Sequence, residues 1–395
     1  MKLWEKKRAA ALGLALMLVL PGCQKPDGGA KIQKETETSA PLQEVISTDP
    51  THIFEEVKED FLIDAEISGP PAGVVPKVYR GHYKGFSKEE IDAFLKQVGD
   101  GIAEVDSDGI EGKDYYYSGA CTDGGYFFSQ MNADGSTTTS EFSYSKNKNE
   151  ITGYPIYINH NDYDINKESR LSFLFEDPVD LACGTAEEAE ANVRAALSAL
   201  GISDVVLNRT LYISHDRMEQ ADELMQTEEW SGVGKRGMDA QFQPKNWTEA
   251  DDCYMFEFFC AVDGIPLSYQ FWKRETTTYC GNNILAWYDA SGVFSLQVDY
   301  PWVADEMVQE PEAVISAEEA LKVVQNKIGN IITNQNYELQ SLTLRYLYRQ
   351  DGDSWLLIPV WEAVIHQTPK DPDSWMVEGC TYVTVDAITG KEIVS

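Results

Sequence analysis

The chain is short of positive charge. Against 65 aspartates and glutamates stand only 32 lysines and arginines, which leaves a formal net charge of −33. Nucleic acids and anionic lipid headgroups are bound largely through Lys and Arg on their phosphates, so this composition argues against both as partners. Histidine is scarce too. His52, His82, His160, His215 and His366 include no His-Glu-x-x-His and no pair spaced to aim two imidazoles at one metal. No Cys-x-x-Cys pair occurs, so neither a zinc ribbon nor a thioredoxin-like redox centre is indicated. A Gly-x-Ser-x-Gly elbow and a phosphate-cradling Gly-x-x-x-x-Gly-Lys are likewise missing. From these absences we expect no catalytic residue, no metal and no cofactor. The one long apolar run, Ala9 to Leu20, is too short to span a bilayer as a stable helix.

With 43% apolar and 11% aromatic residues, the polypeptide can bury real cores, and its length suits two or three domains. It is not a disordered acidic tail.

The apolar run follows a basic start, Lys2, Lys6, Lys7 and Arg8, and ends in Leu20-Pro21-Gly22-Cys23. That order marks a secretory signal. It resembles the bacterial lipoprotein signal, which implies lipid on the Cys23 sulfur, cleavage before it and anchorage at the extracytoplasmic face of the cell membrane. Losing residues 1–22 removes four basic residues and one acid, taking the net charge to about −36. Residues 23–50 are polar and without apolar periodicity, and read as a flexible tether. Six further cysteines follow: Cys121, Cys183, Cys253, Cys260, Cys280 and Cys380. Export permits disulfides among them in any of several connectivities, with buried thiols as the alternative. Cys253 and Cys260 should not bond each other, because an odd spacing on one strand puts them on opposite faces, about 23 Å apart.

Beyond the tether one device appears three times. Ser87 with Glu90, Thr185 with Glu188, and Ser316 with Glu319 each form a capping box, followed by a helical apolar stripe and a glycine at Gly99, Gly201 and Gly329. After each helix the apolar period changes to two, the pattern of antiparallel meanders. The expected fold is therefore α+β: two or three modules, each a capped helix packed on an antiparallel meander sheet. The modules fall at 51–180, 181–308 and 309–395. In the last of them, Ser316-Ala317-Glu318-Glu319-Ala320 and the ending Val383-Thr384-Val385-Asp386-Ala387-Ile388-Thr389-Gly390-Lys391-Glu392-Ile393 resemble a PepSY-type domain. Val262-Asp263-Gly264-Ile265-Pro266-Leu267, a meander and then the Ser316 helix resemble the YycH/YycI regulators of sensor kinases. Those regulators keep an N-terminal transmembrane helix, whereas this chain looks cut and lipidated. The PepSY resemblance implies protease inhibition or regulation of an envelope factor.

Candidate sites are few. Glu104, Asp106, Asp108 and Gly109 mimic the start of a calcium loop, but Tyr115 stands where the bidentate Glu belongs. Asp162, Asp164 and Asn166 alternate similarly, yet Lys167 replaces the required Gly. Both read as solvated turns. Glu257 and Glu362 interrupt apolar strands, Phe256-Glu257-Phe258 and Trp361-Glu362-Ala363; a strand with one wet face is the expected reason. Trp272, Trp287, Trp302, Trp355, Trp361 and Trp375 fall in or beside the later sheets, and packing is their expected use. The function that fits is a lipid-anchored extracytoplasmic binding or regulatory lipoprotein, not an enzyme, engaging an envelope protein or peptide through a sheet face or edge. Two alternatives are an envelope hydrolase built on Glu257, Glu362 or His366, and a small-molecule receptor with ligand held between modules. Oligomeric state is left open.

Overall fold

The computed structural model describes residues 51–111, 114–132, 139–146, 171–225, 246–273, 276–279, 284–331, 334–352, 354–371 and 379–394. All of them belong to one compact unit, Val45–Ser395. Cys23, the signal and tether, His160, the Asp162 to Lys167 stretch, Cys280 and Trp375 lie outside the described residues.

The three capped helices form where expected: α1 (Lys88–Gln97), α2 (Ala186–Ala199) and, as the fourth helix in chain order, α4 (Ala317–Gly329), each with both hydrogen bonds of its capping box. Gly99 and Gly201 take the positive φ that ends α1 and α2. Gly329 instead stays helical, and Asn330 caps α4. An unexpected helix, α3 (His215–Met225), follows Ser214.

The strands do not divide into helix-capped modules. Strand dominates at 53% against 21% helix, in a large mixed β architecture, which overturns the expected α+β fold of two or three modules. The reason is long-range pairing across the expected boundaries near 180 and 308. Strands β4 (Ile102–Glu111), β5 (Asp114–Cys121), β6 (Tyr126–Asn132) and β7 (Thr139–Ser145) run as a meander. Then β7 pairs with β13 (Gly292–Asp299), which leads through β12 (Ile284–Asp289) and β9 (Cys253–Val262) to β8 (Val205–Ile213). So one antiparallel sheet is assembled from two expected modules. On it α1 and α2 pack side by side, Phe94 of α1 meeting the Phe142 and Tyr144 rings edge-on.

The other sheet is organised by a long hairpin, β15 (Gln335–Asp351) with β16 (Ser354–Pro369). The first half of β15 pairs in parallel with β2 (Phe61–Ser68), which carries β1 (Thr51–Lys58) on its far side. Its second half pairs in parallel with β10 (Ile265–Lys273), whose other neighbour is β11 (Thr276–Tyr279). Strand β16 likewise serves β3 (Val78–Tyr83) with its first residues and β17 (Gly379–Asp386) with its last. Edges are completed by β14 (Trp302–Gln309) on β3 and β18 (Glu392–Ile393) on β17. The tight turn of Asp263 and Gly264, both at positive φ, hands the chain from β9 to β10 and so from one sheet to the other. Ile63, Leu339 and Ile365, register partners on β2, β15 and β16, are fully buried in the core to which α4 contributes Ala320, Val324 and Ile328.

Aromatic packing joins β3, β14, β15 and β16. Trp302 stacks on Tyr348 at 4.9 Å and meets Tyr83 edge-on at 4.5 Å, with Trp355 beside them. Trp287, Trp302 and Trp361 are buried, consistent with packing as their role. Gly81 makes the close approach possible, since a Cβ there would lie 2.5 Å from both Trp302 Nε1 and the Val303 carbonyl oxygen. Gly81→Ala should therefore lower stability by about 1–3 kcal/mol, as overpacking does; urea denaturation checks it, and an unchanged midpoint would show that β14 yields without cost.

Candidate functional site

Helix α4 covers one face of the half-sheet β1, β2, β15, β16 and β17; among the described residues the opposite face is open at the end that carries Leu62, Glu338 and His366. Side chains on this open face form a row that the register defines. Glu56 of β1 is opposite Leu62 of β2, Leu62 opposite Glu338 of β15, Glu338 opposite His366 of β16, and His366 opposite Cys380 of β17. Direct cross-strand partners hold their Cβ atoms about 4.5–5.5 Å apart, so the row runs unbroken across the five strands. Over one end of the row lies an open groove of about 600 Å³, lined by Glu56, Lys58, Glu59, Asp60, Leu62, Glu338 and His366 among others.

The electrostatics of this groove are uneven. Asp60 is satisfied: Lys370 and Lys58 reach its carboxylate at 2.5 and 3.0 Å and hold it down at about 2, well below an ordinary aspartate. Lys58 also donates to the Ile331 carbonyl at 3.3 Å. Among the described residues no ion pair forms at Glu56, Glu59 or Glu338. The groove therefore presents uncompensated negative charge above an apolar floor at Leu62.

Strand β1 bounds this face. It pairs with β2 alone among the described residues, leaving its outer edge without a strand partner there. Most of it is exposed, and Phe54, on the same face as Glu56, is 64% exposed. The composition of β1, Thr-His-Ile-Phe-Glu-Glu-Val-Lys, explains why: only Ile53 and Val57 supply a core-facing stripe.

Sequence-based candidates fall elsewhere. Glu257 and Glu362 were expected on wet faces, yet they are 1% and 0% exposed. Strand β9 is buried along its whole length, so neither of its faces is wet. Glu257 accepts a hydrogen bond from Asn208 Nδ2 (2.8 Å) and has Arg209 Nε at 3.6 Å. Glu362 has Arg345 Nε at 3.1 Å and accepts from the Ser268 hydroxyl, while the Arg345 guanidinium lies 4.5 Å from the Phe259 ring centroid and donates to the Leu267 carbonyl. Burial pushes the Glu362 carboxyl up, and Arg345 and Ser268 pull it back. His366, four residues along β16, belongs to the open face. Glu257 and Glu362 thus have separate partners, His366 sits four residues from Glu362 along β16, and the three do not converge. Glu104, Asp106, Asp108 and Gly109 lie on strand β4 and not in a turn, with Asp108 paired to Lys88 at 2.5 Å. Cys121, Cys183 and Cys260 are free thiols, so Cys253 and Cys260 are not joined.

No family model matches the chain, and no curated protein matches it. Among solved structures, an uncharacterized protein from Eubacterium rectale ATCC 33656 is similar: TM-score 0.59 at 16% identity, covering 87% of this chain and 93% of that one. At that identity the likeness is one of fold.

A second acidic feature lies on the antiparallel sheet, where Asp299 of β13 is the register partner of Glu141 of β7. Burial pushes Asp299 up to about 6; Gln297 Nε2, donating at 2.8 Å, opposes this, and the Glu141 carboxylate adds to it. Between its ordinary value and about 6 the folded chain holds a proton that the unfolded chain has lost, so stability falls as pH rises through that window. Asp299→Asn should raise stability at pH 7 by about 1–2 kcal/mol after allowance for partial exposure, and flatten the slope between pH 4 and 6. Denaturation at both pH values measures this; a slope unchanged in the variant would refute it.

For the buried pair, Arg345→Met should cost about 3–5 kcal/mol because it strands the Glu362 charge, and adding Glu362→Gln should recover most of the loss. Equal stability of the single and double variants would show that the pair is not coupled.

Proposed function

We propose that this protein is a lipid-anchored extracytoplasmic binding protein that captures an extended segment of an envelope protein or peptide, without covalent chemistry. Lipid on Cys23 would hold it at the membrane, and the polar stretch 23–50 would set its reach. The observation that carries the binding reading is the outer edge of β1, with Phe54 exposed beside the groove. An added strand satisfies the backbone groups of such an edge by main-chain hydrogen bonds, and side-chain contacts on alternate residues then select the partner. The PepSY and YycH/YycI resemblances rest on sequence motifs alone; if they extend to role, the partner is an envelope protease or a sensor kinase.

A photo-crosslinking residue placed at Phe54 should trap a discrete envelope partner in cells. The same residue at Lys322, exposed on α4, should not. Phe54→Asp should weaken retention of that partner by about tenfold, the scale of a lost apolar anchor. Equal crosslinking from both positions would remove the β1 edge as the binding element.

A further inference from the structure

The chemistry of the groove names the kind of segment it takes. We infer that the face beside β1 is built for an extended basic peptide segment carrying an apolar residue and a Lys or Arg two positions apart; this rests on the β1-edge reading above and specifies its partner. Phe54 and Glu56 are two residues apart on one face of β1, so a strand added to that edge sets two side chains, also two apart, opposite them. Opposite Phe54 an apolar residue removes its exposed ring from water. Opposite Glu56 a basic residue meets a carboxylate that has no ion pair among the described residues.

Beyond Glu56 the row continues with Leu62 and Glu338. With strands 4.7–4.9 Å apart, the two glutamates stand about 10 Å apart on either side of Leu62. That interval suits the stem of a lysine or arginine, whose methylenes can lie on Leu62 while the charged end lies between the carboxylates. Glu59 adds a third acid to the groove, and the lining lysine, Lys58, is already engaged by Asp60 and the Ile331 carbonyl. A second copy of this chain is a poor occupant, because its own surface carries the same excess of negative charge. Anionic lipid and nucleic acid are excluded on the same ground.

The test uses the full chain in detergent micelles and three labelled nonapeptides: Val-Thr-Lys-Thr-Val-Thr-Lys-Thr-Val, which sets Val and Lys two positions apart on one strand face, the same peptide with Gln for each Lys, and the same with Glu. Fluorescence anisotropy should show the Lys peptide binding about tenfold more tightly than the Gln peptide, with the gap closing as salt shortens the screening length. The Glu peptide should be weakest. In the variant E56Q/E338Q the gap between Lys and Gln peptides should vanish while the Gln peptide binds as before. A charge-matched control on the other sheet, E104Q/D106N, should keep the gap. Equal binding of Lys and Gln peptides overturns the basic-segment inference while leaving capture at β1 standing. A gap that survives E56Q/E338Q, or that E104Q/D106N abolishes equally, also overturns it, by showing attraction to the acidic surface at large. Binding of none of the three overturns it too, and the crosslinking at Phe54 then decides separately whether the edge binds anything.

Discussion

The β15–β16 hairpin is the constraint from which the mixed sheet follows. Each of its strands is about twice as long as its neighbours, so each side of the hairpin has room for two partners placed end to end. Strands β2 and β10 share β15, and β17 and β3 share β16. At the point of transition the hairpin needs neighbours on its face as well as its flanks. There the β9–β10 passage supplies them: Ser268, Leu267 and Phe259 close over Arg345 and Glu362. A buried pair of this kind is a weak source of net stability, because desolvation offsets most of the attraction. Its geometric demand is strong, however. Arg345 and Glu362 are diagonal neighbours within the hairpin, and their remaining polar groups reach the Ser268 hydroxyl and the Leu267 carbonyl only when β10 is seated on β15.

The difference between local and distant information explains what could be read from the sequence. Capping boxes at Ser87, Thr185 and Ser316 are local devices complete within four residues, and all three helices form behind them. Most strands of the later chain were marked by alternation and turn residues, again local. Pairing is not. Nothing in Thr139–Ser145 announces that its neighbour will be Gly292–Asp299, so a helix followed by a meander looked like a closed module when the meander was half of a larger sheet. Edge strands were missed for a related reason: β1 and β14 are largely solvent-facing and carry acids where a core strand would alternate. By contrast β2 does alternate, with Phe61, Ile63, Ala65 and Ile67 buried, and its signal was present.

The candidate face was legible only in fragments. His366 was singled out among scarce histidines, but Glu56, Leu62 and Glu338 become a set only through register across three strands, two of them parallel. Parallel pairing between residues far apart in sequence leaves no local trace. The two buried glutamates had a clearer warning. Cys253–Val262 is an almost unbroken apolar run, which marks a strand covered on both faces, so Glu257 had no wet face to occupy. Arg345, inside Leu344-Arg345-Tyr346, is the matching sign for Glu362: a buried charge calls for an opposite one, and two apolar stretches, 342–348 and 356–365, each interrupted by one charge of opposite sign, are candidates to pair.

Exposed edges are hazards as well as opportunities. A strand whose outer edge has no strand partner among the described residues and whose Phe54 is exposed invites pairing with any extended chain, including its own kind. Sequences usually blunt such edges with charge, and here acids predominate: Glu55 and Glu56 on β1, Glu59 beyond it, and Asp305 and Glu306 on β14, while Lys58 at the end of β1 is engaged by Asp60. Mixed charges would protect an edge equally well against unspecific pairing. Acids alone do something further, because they repel every acidic chain, this one included, and leave only basic or neutral segments able to approach. Protection from self-association and selection of a partner then come from the same side chains, so changes that make the edge more neutral should cost solubility and specificity together.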